Sequence, residues 1–124
     1  MMINPASLIR LQKTRSFLGP HADLLMGEML KAADGRMHAS VIVLAAAILD
    51  VILREPSGRP FDADGVDIAA ARDSRDAFWL RDRRNGIVHY EGGKGGLMGD
   101  GDAALANDAA RAVETLNDAL DLLI

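Results

Sequence analysis

The stretch Phe78–Glu91, which reads FWLRDRRNGIVHYE, gathers the side chains of this chain best suited to chemistry. It holds Arg81, Arg83 and Arg84, with Arg75 just upstream, then Asn85-Gly86 and His89-Tyr90. An imidazole takes or gives a proton near neutral pH. Guanidinium groups hold a phosphate and stabilise charge that develops on it. Together these are the minimum set for metal-independent cleavage of RNA: a base for the 2′-hydroxyl, an acid for the leaving oxygen, and cations for the phosphorane-like transition state. One histidine serves two proton transfers poorly. Two copies of the segment facing each other across a dimer axis would supply the second.

Helix geometry decides which of these groups share a face. Residues four apart are offset by about 40° and residues five apart by about 140°. Arg81, Asn85 and His89 therefore line one face, with Asp82 close to it. Arg84 lies off that face by the five-residue offset from His89. Gly86 costs a helix interior about 1 kcal/mol relative to alanine, and loosening there would let Arg84 approach His89. A simpler reading stands beside this one. Arg72–Arg84 holds five arginines and three aspartates, a net charge of only +2, so the segment also reads as a solvated helix face that pairs its own charges.

The elements around this segment must be helices. The chain has 124 residues, enough for one domain, residues 1–124, with its own core. Hydrophobic residues make up 49% and aromatics 4%, so alanine and leucine carry the core, a composition that favours helix. Asn4-Pro5 is a start signal, asparagine as cap and proline in the first turn. Leu8, Leu11 and Leu18 follow at roughly helical spacing, with Ile9 beside them. Gly19-Pro20 either separates this helix from a second, about residues 20–33, or kinks one long helix. The second helix carries Leu24, Leu25, Met29 and Leu30 as its apolar stripe, and Gly35 is its terminating glycine.

Residues 36–54 form the most hydrophobic helix, apolar nearly all round and so expected at the centre of the bundle. Asp50 interrupts it. Either this carboxylate finds an arginine partner from the Phe78–Glu91 stretch, or it points to a solvated edge. After a loop over 55–65, a fourth helix starts near Asp64. It carries Val66, Ile68, Ala71, Phe78 and Ile87 and runs on to the histidine. Phe78 and Trp79 are adjacent and cannot both face the core, so one marks a dimer interface or a partly exposed rim. His21 and His38 lie at helix starts without metal-ligand companions, and both read as surface or capping residues. The glycines between 92 and 101 give a loop. The GGKGG around Lys94 lacks Walker spacing, so Lys94 is at most a substrate contact from a flap. A last helix, about residues 102–124, has Leu105, Ala109, Ala112, Val113, Leu116, Leu120 and Leu123 on its stripe. The fold class is therefore all-α, an up-and-down bundle of four to five helices.

The bulk properties narrow the function classes. There is no cysteine, so a thiolate zinc site and a disulfide framework are excluded, and a reducing cytoplasm is the expected setting. The N-terminal residues do not read as a secretion signal, and the apolar run 39–53 is too short to span a bilayer. A net charge of −4 argues against a broad nucleic-acid-coating surface, so an anionic partner must be held by a local basic patch.

Arg84-Asn85-Gly86-Ile87-Val88-His89 resembles the arginine–polar–three residues–histidine motif of the HEPN domain family (higher eukaryotes and prokaryotes nucleotide-binding). The alanine-rich run 36–54 resembles the helix that precedes the motif in that family, and the likeness covers about Ala32 to Tyr90. The resemblance implies a homodimer whose two motifs meet in one cleft. It also implies metal-independent endoribonuclease activity without a cofactor, in a toxin–antitoxin or phage-defence setting with RNA as substrate and a cognate antitoxin as partner. By matching positions, Arg84 is the phosphate-stabilising arginine, His89 the catalytic histidine and Asn85 the polar residue beside them. Asp50 is the acidic counterpart on the preceding helix. Arg81, Tyr90, Asp50 and Lys94 are the candidate substrate contacts. Tyr90 directly follows His89, whereas one subgroup of the family has its tyrosine one residue later. The alternative from the same residues is a non-catalytic module of this fold that binds a nucleotide or RNA, or only pairs with itself. A third reading is a helical bundle with no ligand.

Overall fold

The structure, a computed structural model, describes residues 3–54, 65–89 and 102–124, with the side chains of Gly65 and Asp102 excepted. It is an all-α bundle: α1 (Pro5–Thr14), α2 (Pro20–Asp34), α3 (His38–Ile52), α4 (Gly65–Asp73), α5 (Arg75–Val88) and α6 (Asp102–Leu123), with no strand among the described residues. The loop expected over 55–65 lies almost wholly outside the described residues, and the glycine-rich one between 92 and 101 lies outside them entirely. No described helix is long and apolar enough to cross a membrane.

Asn4 caps α1 as its sequence suggests, its Oδ1 accepting from the Ala6 N–H at 2.9 Å with Pro5 in the first turn. A 3-10 turn, Arg15–Phe17, then separates α1 from α2, so these are two helices rather than one kinked one. The Arg15 guanidinium lies over α2, its Nε 2.7 Å from Asp23 Oδ1. Gly27 makes room for it, since a Cβ there would stand 3.0 Å from Arg15 Nη2.

The apolar stripe of α2 differs from the expected one. Ala22, Met26, Met29 and Ala32 are buried, Leu25 and Leu30 are partly buried, and Leu24 is 65% exposed. The stripe follows the 22–26–29 spacing, and Leu24 sits two residues, about 200°, away from Met26.

Gly35 is the C-cap of α2, but its φ is −82°, and the left-handed residue is Arg36 at φ +56°. The hydrogen bonds identify a Schellman closure: the Met37 N–H donates to the Ala32 carbonyl at 2.9 Å and the Arg36 N–H to the Ala33 carbonyl at 3.2 Å. Arg36 thus occupies the position where glycine is favoured.

α3 is the central helix. It packs against α2, α5 and α6, and Val41, Ile42, Ala45, Ala46, Ile48 and Leu49 are fully buried. Burying a side chain of this size is worth about 1.5–3 kcal/mol, so this one helix carries a large share of the core. The small side chains Ala45 and Ala46 allow the close packing expected of them.

The helix expected to run unbroken from residue 64 to the histidine is interrupted at Ser74. Ser74 has ψ 156°, and its hydroxyl accepts from the Ala77 N–H at 3.0 Å, which starts α5 afresh. The break resets the helical phase. Ala71, Ala77 and Leu80 face the core, while Val66, Ile68 and Phe78 are 75%, 39% and 69% exposed. Trp79 packs against the core, with the Arg111 guanidinium 4.0 Å from its ring centroid.

α6 closes the bundle with its stripe buried as expected, Leu105 only in part. The buried Asn117 donates to the Ser7 carbonyl at 3.1 Å, and the Ser7 hydroxyl bonds Glu114, which fastens α1 to α6. On the outer side of α6 the Asp118 carboxyl is held above its ordinary range, first by partial burial and then by the charges of Glu114, Asp121 and Asp76. A raised carboxyl costs stability at neutral pH and is relieved as pH falls through its folded value.

Two substitutions test these local readings. Ser74→Ala removes the cap of α5 and lowers stability by about 1 kcal/mol, with Ser74→Asp retaining it, as measured by urea unfolding. Arg36→Gly relieves the left-handed residue and raises stability by about 0.5–1 kcal/mol in the same assay; a lower urea midpoint for that variant would refute the strain.

Candidate functional site

Three helices meet at Asp50. It stands two residues before the end of α3, partly buried, and its Oδ2 lies 3.3 Å from Nη1 of Arg84 on α5. The side chains are 24% and 32% exposed for Arg84 and Asp50, so the pair is shielded enough to hold a geometry without the full desolvation cost of a buried ion pair. Of the two sequence readings of Asp50, the structure has the one in which an arginine of the Phe78–Glu91 stretch answers it.

Arg84 is also held from its own helix. Its Nε donates to Asn85 Oδ1 at 2.8 Å. One end of the guanidinium is thus fixed by an amide and the other by a carboxylate, which is how an arginine is oriented for planar recognition. Arg84, Asn85 and Asp50 are brought together.

His89 is placed differently from a simple helical residue. It is the C-cap of α5, with φ −108° and ψ 106°, and its N–H donates to the Asn85 carbonyl at 2.8 Å. The helix ends at Val88, so the face shared by Arg81, Asn85 and His89 ends with it. The His89 side chain is exposed. Gly86 is buried inside an intact α5, so it does not loosen the helix. Arg81 turns back along α5: its Nη2 donates to the Arg72 carbonyl at 2.6 Å and satisfies the end of α4. Tyr90 and Lys94 lie outside the described residues.

The other arginines of this segment join elements together. Arg83 Nε pairs with Asp108 Oδ2 of α6 at 2.9 Å, and Asp76 at the start of α5 receives Arg111 of α6 at 3.0 Å. Arg72, by contrast, pairs within α4, making two bonds to its neighbour Asp73 at 3.0 and 2.9 Å. Charge pairing in α5 therefore reaches across to α3 and α6, beyond the self-paired face that the sequence also allowed.

A cleft of about 280 Å³ opens on Asp50, lined by His21, Asp50, Val51 and Arg54. His21 comes from the first turn of α2, and Arg54 follows the end of α3. Neither was a candidate from sequence. Arg54 follows Asp50 by four residues, a helical spacing present in the sequence, whereas His21 is nearly thirty positions from Asp50 and meets it only once α2 and α3 pack. Among the described residues no group of three or more histidines and carboxylates could hold a metal ion. The chain matches no family model, no curated protein and no solved structure.

A double-mutant cycle tests the central pair. Asp50→Asn and Arg84→Gln should show a coupling of about 1 kcal/mol at low ionic strength that shrinks in high salt. A coupling indistinguishable from zero at low salt would mean that the two side chains do not interact in solution.

Proposed function

We propose that this chain is a metal-independent endoribonuclease of HEPN type, working as a homodimer, with Arg84 holding the scissile phosphate and His89 transferring a proton. One observation carries the reading: Arg84 is fixed by Asp50 and Asn85 one and a half turns before a solvent-exposed histidine at the end of the same helix. A guanidinium oriented in advance stabilises charge that develops on a phosphate without reorganising during the step. An exposed imidazole at a helix end can reach a substrate and can meet the same residue of a second copy. Asn85, also exposed, is beside both. The toxin–antitoxin setting and a cognate antitoxin belong to the same proposal and follow from the motif resemblance alone.

The chemistry needs no group beyond these side chains. A base takes the 2′-hydroxyl proton, the oxygen attacks phosphorus, the bond to the 5′-oxygen breaks, and an acid protonates that oxygen. The products are a 2′,3′-cyclic phosphate and a 5′-hydroxyl. Two His89 side chains, one from each protomer, would divide the two proton transfers.

Incubation with mixed RNA in chelator tests the proposal. The wild-type chain should cut and leave cyclic phosphate ends. His89→Ala, confirmed folded by circular dichroism, should lose at least about 100-fold in rate, as removal of a general acid–base group does. Arg84→Gln should lose a similar amount. Absence of cutting by the wild type over several RNAs would leave a binding module in place of the enzyme.

A further inference from the structure

No described element covers the outward stripe of α5. Phe78 is 69% exposed and Val88 52%, and Arg75, Asp82, Asn85 and His89 are exposed with them. Phe78, Asp82 and Asn85 fall within about 60° of arc, with Arg75 one turn before them and Val88 at the margin. Apolar and polar groups at alternating spacings of four and three are what a helix presents to a second helix. Among the described residues Arg75 and Asp82 have no hydrogen-bond or ion-pair partner, and Asn85 is engaged there only through Oδ1, which accepts from Arg84. The Asn85 amide keeps its two donors available.

This stripe is complementary to itself when two copies meet antiparallel across a twofold axis. Such a contact sets residue i against j and j against i. With the axis between Asp82 and Asn85, each Asp82 carboxylate meets an Asn85 amide that donates to it, twice over. The same register lays each Phe78 ring on Val88 of the second copy. It also puts Arg75 over the C-terminal end of the other α5, where the helix dipole favours a cation. A parallel arrangement would instead set Asp82 against Asp82 and Arg75 against Arg75.

We propose that this stripe is the interface between two copies of the chain, α5 against α5, antiparallel and centred between Asp82 and Asn85. The inference deepens the homodimer of the ribonuclease reading and rests on that reading only for its purpose. In this register the two His89 Cα positions stand about 16 Å apart along the helix axes, at roughly 1.5 Å per residue. Two imidazoles reaching inward can hold a phosphodiester between them across that gap. A single helix face is smaller than the roughly 800 Å² per partner of a standard interface, so the expected Kd is micromolar.

Sedimentation equilibrium of the full chain over a range of concentrations reads the association, and disulfide mapping reads the register. A concentration-dependent dimer is expected. Phe78→Asp should raise its Kd at least about tenfold with the circular dichroism spectrum unchanged, and Leu24→Asp, at a similarly exposed apolar position on α2, should leave it unaltered. The chain has no cysteine, so an introduced thiol is unique. Asp82→Cys and Asn85→Cys chains, mixed, should cross-link to each other faster than either does to itself, and Arg75→Cys should not cross-link to itself. A chain monomeric up to about 1 mM, a dimer indifferent to Phe78→Asp, or ready self-linkage of Arg75→Cys overturns the proposal. The cleavage assay separates it from the enzyme proposal. A dimer with the expected cross-links that cuts no RNA sinks the ribonuclease alone, and cutting by a chain that stays monomeric sinks the interface alone.

Discussion

A helix that is apolar on nearly every side can be stable only if other helices surround it, and α3 imposes that constraint on the rest of the chain. α2, α5 and α6 take their places by covering it. Because α3 is held on several sides, its end is a fixed point, and Asp50 near that end is a carboxylate on a rigid post. Arg84 reaches it from α5 and the first turn of α2 brings His21 to the same place. The candidate site is thus a by-product of how the core closes. A change that loosened α3 would blur the position of Asp50 before it touched any group that meets solvent.

The site divides its polar groups between those that tie elements together and those that face solvent. Arg84 is tied at both ends of its guanidinium, Arg83 and Arg111 bind α5 to α6, and Arg81 closes α4. Asn85, His89, His21 and Arg54 face solvent. Groups of the first kind give geometry and those of the second kind give contact. The proposed action on an anionic chain would draw on that division, since exposed arginine and lysine side chains alone hold phosphates without orienting them.

Much of the helical frame was legible from the residues. The Asn4-Pro5 start, the central place of α3, the buried stripe of α6 and the partnership of Asp50 with an arginine of the Phe78–Glu91 stretch all followed from capping chemistry, periodicity and the cost of an unpaired charge. The misreadings have local causes. Ser74 interrupts an otherwise continuous helical pattern with a single hydroxyl cap, and in the new phase of α5 Phe78 turns outward. Gly35 does end α2 as expected, and the left-handed residue of that closure is the next one, Arg36. His21 was invisible because what places it beside Asp50 is a cleft, and a cleft is made by packing two helices. Spacing along one helix cannot report it.

The acidic flank of α6 gives the molecule an uneven electrical surface. Glu114, Asp118, Asp121 and Asp76 crowd near the start of α5, close enough to disturb the Asp118 carboxyl, while Arg84 and Arg54 lie toward its other end and the end of α3. For an anionic strand, the occupant the proposed function requires, repulsion at one flank and attraction at the other would act before contact. Orientation of a docking strand would then begin at a distance set by the Debye length, about 8 Å in physiological salt, rather than at contact.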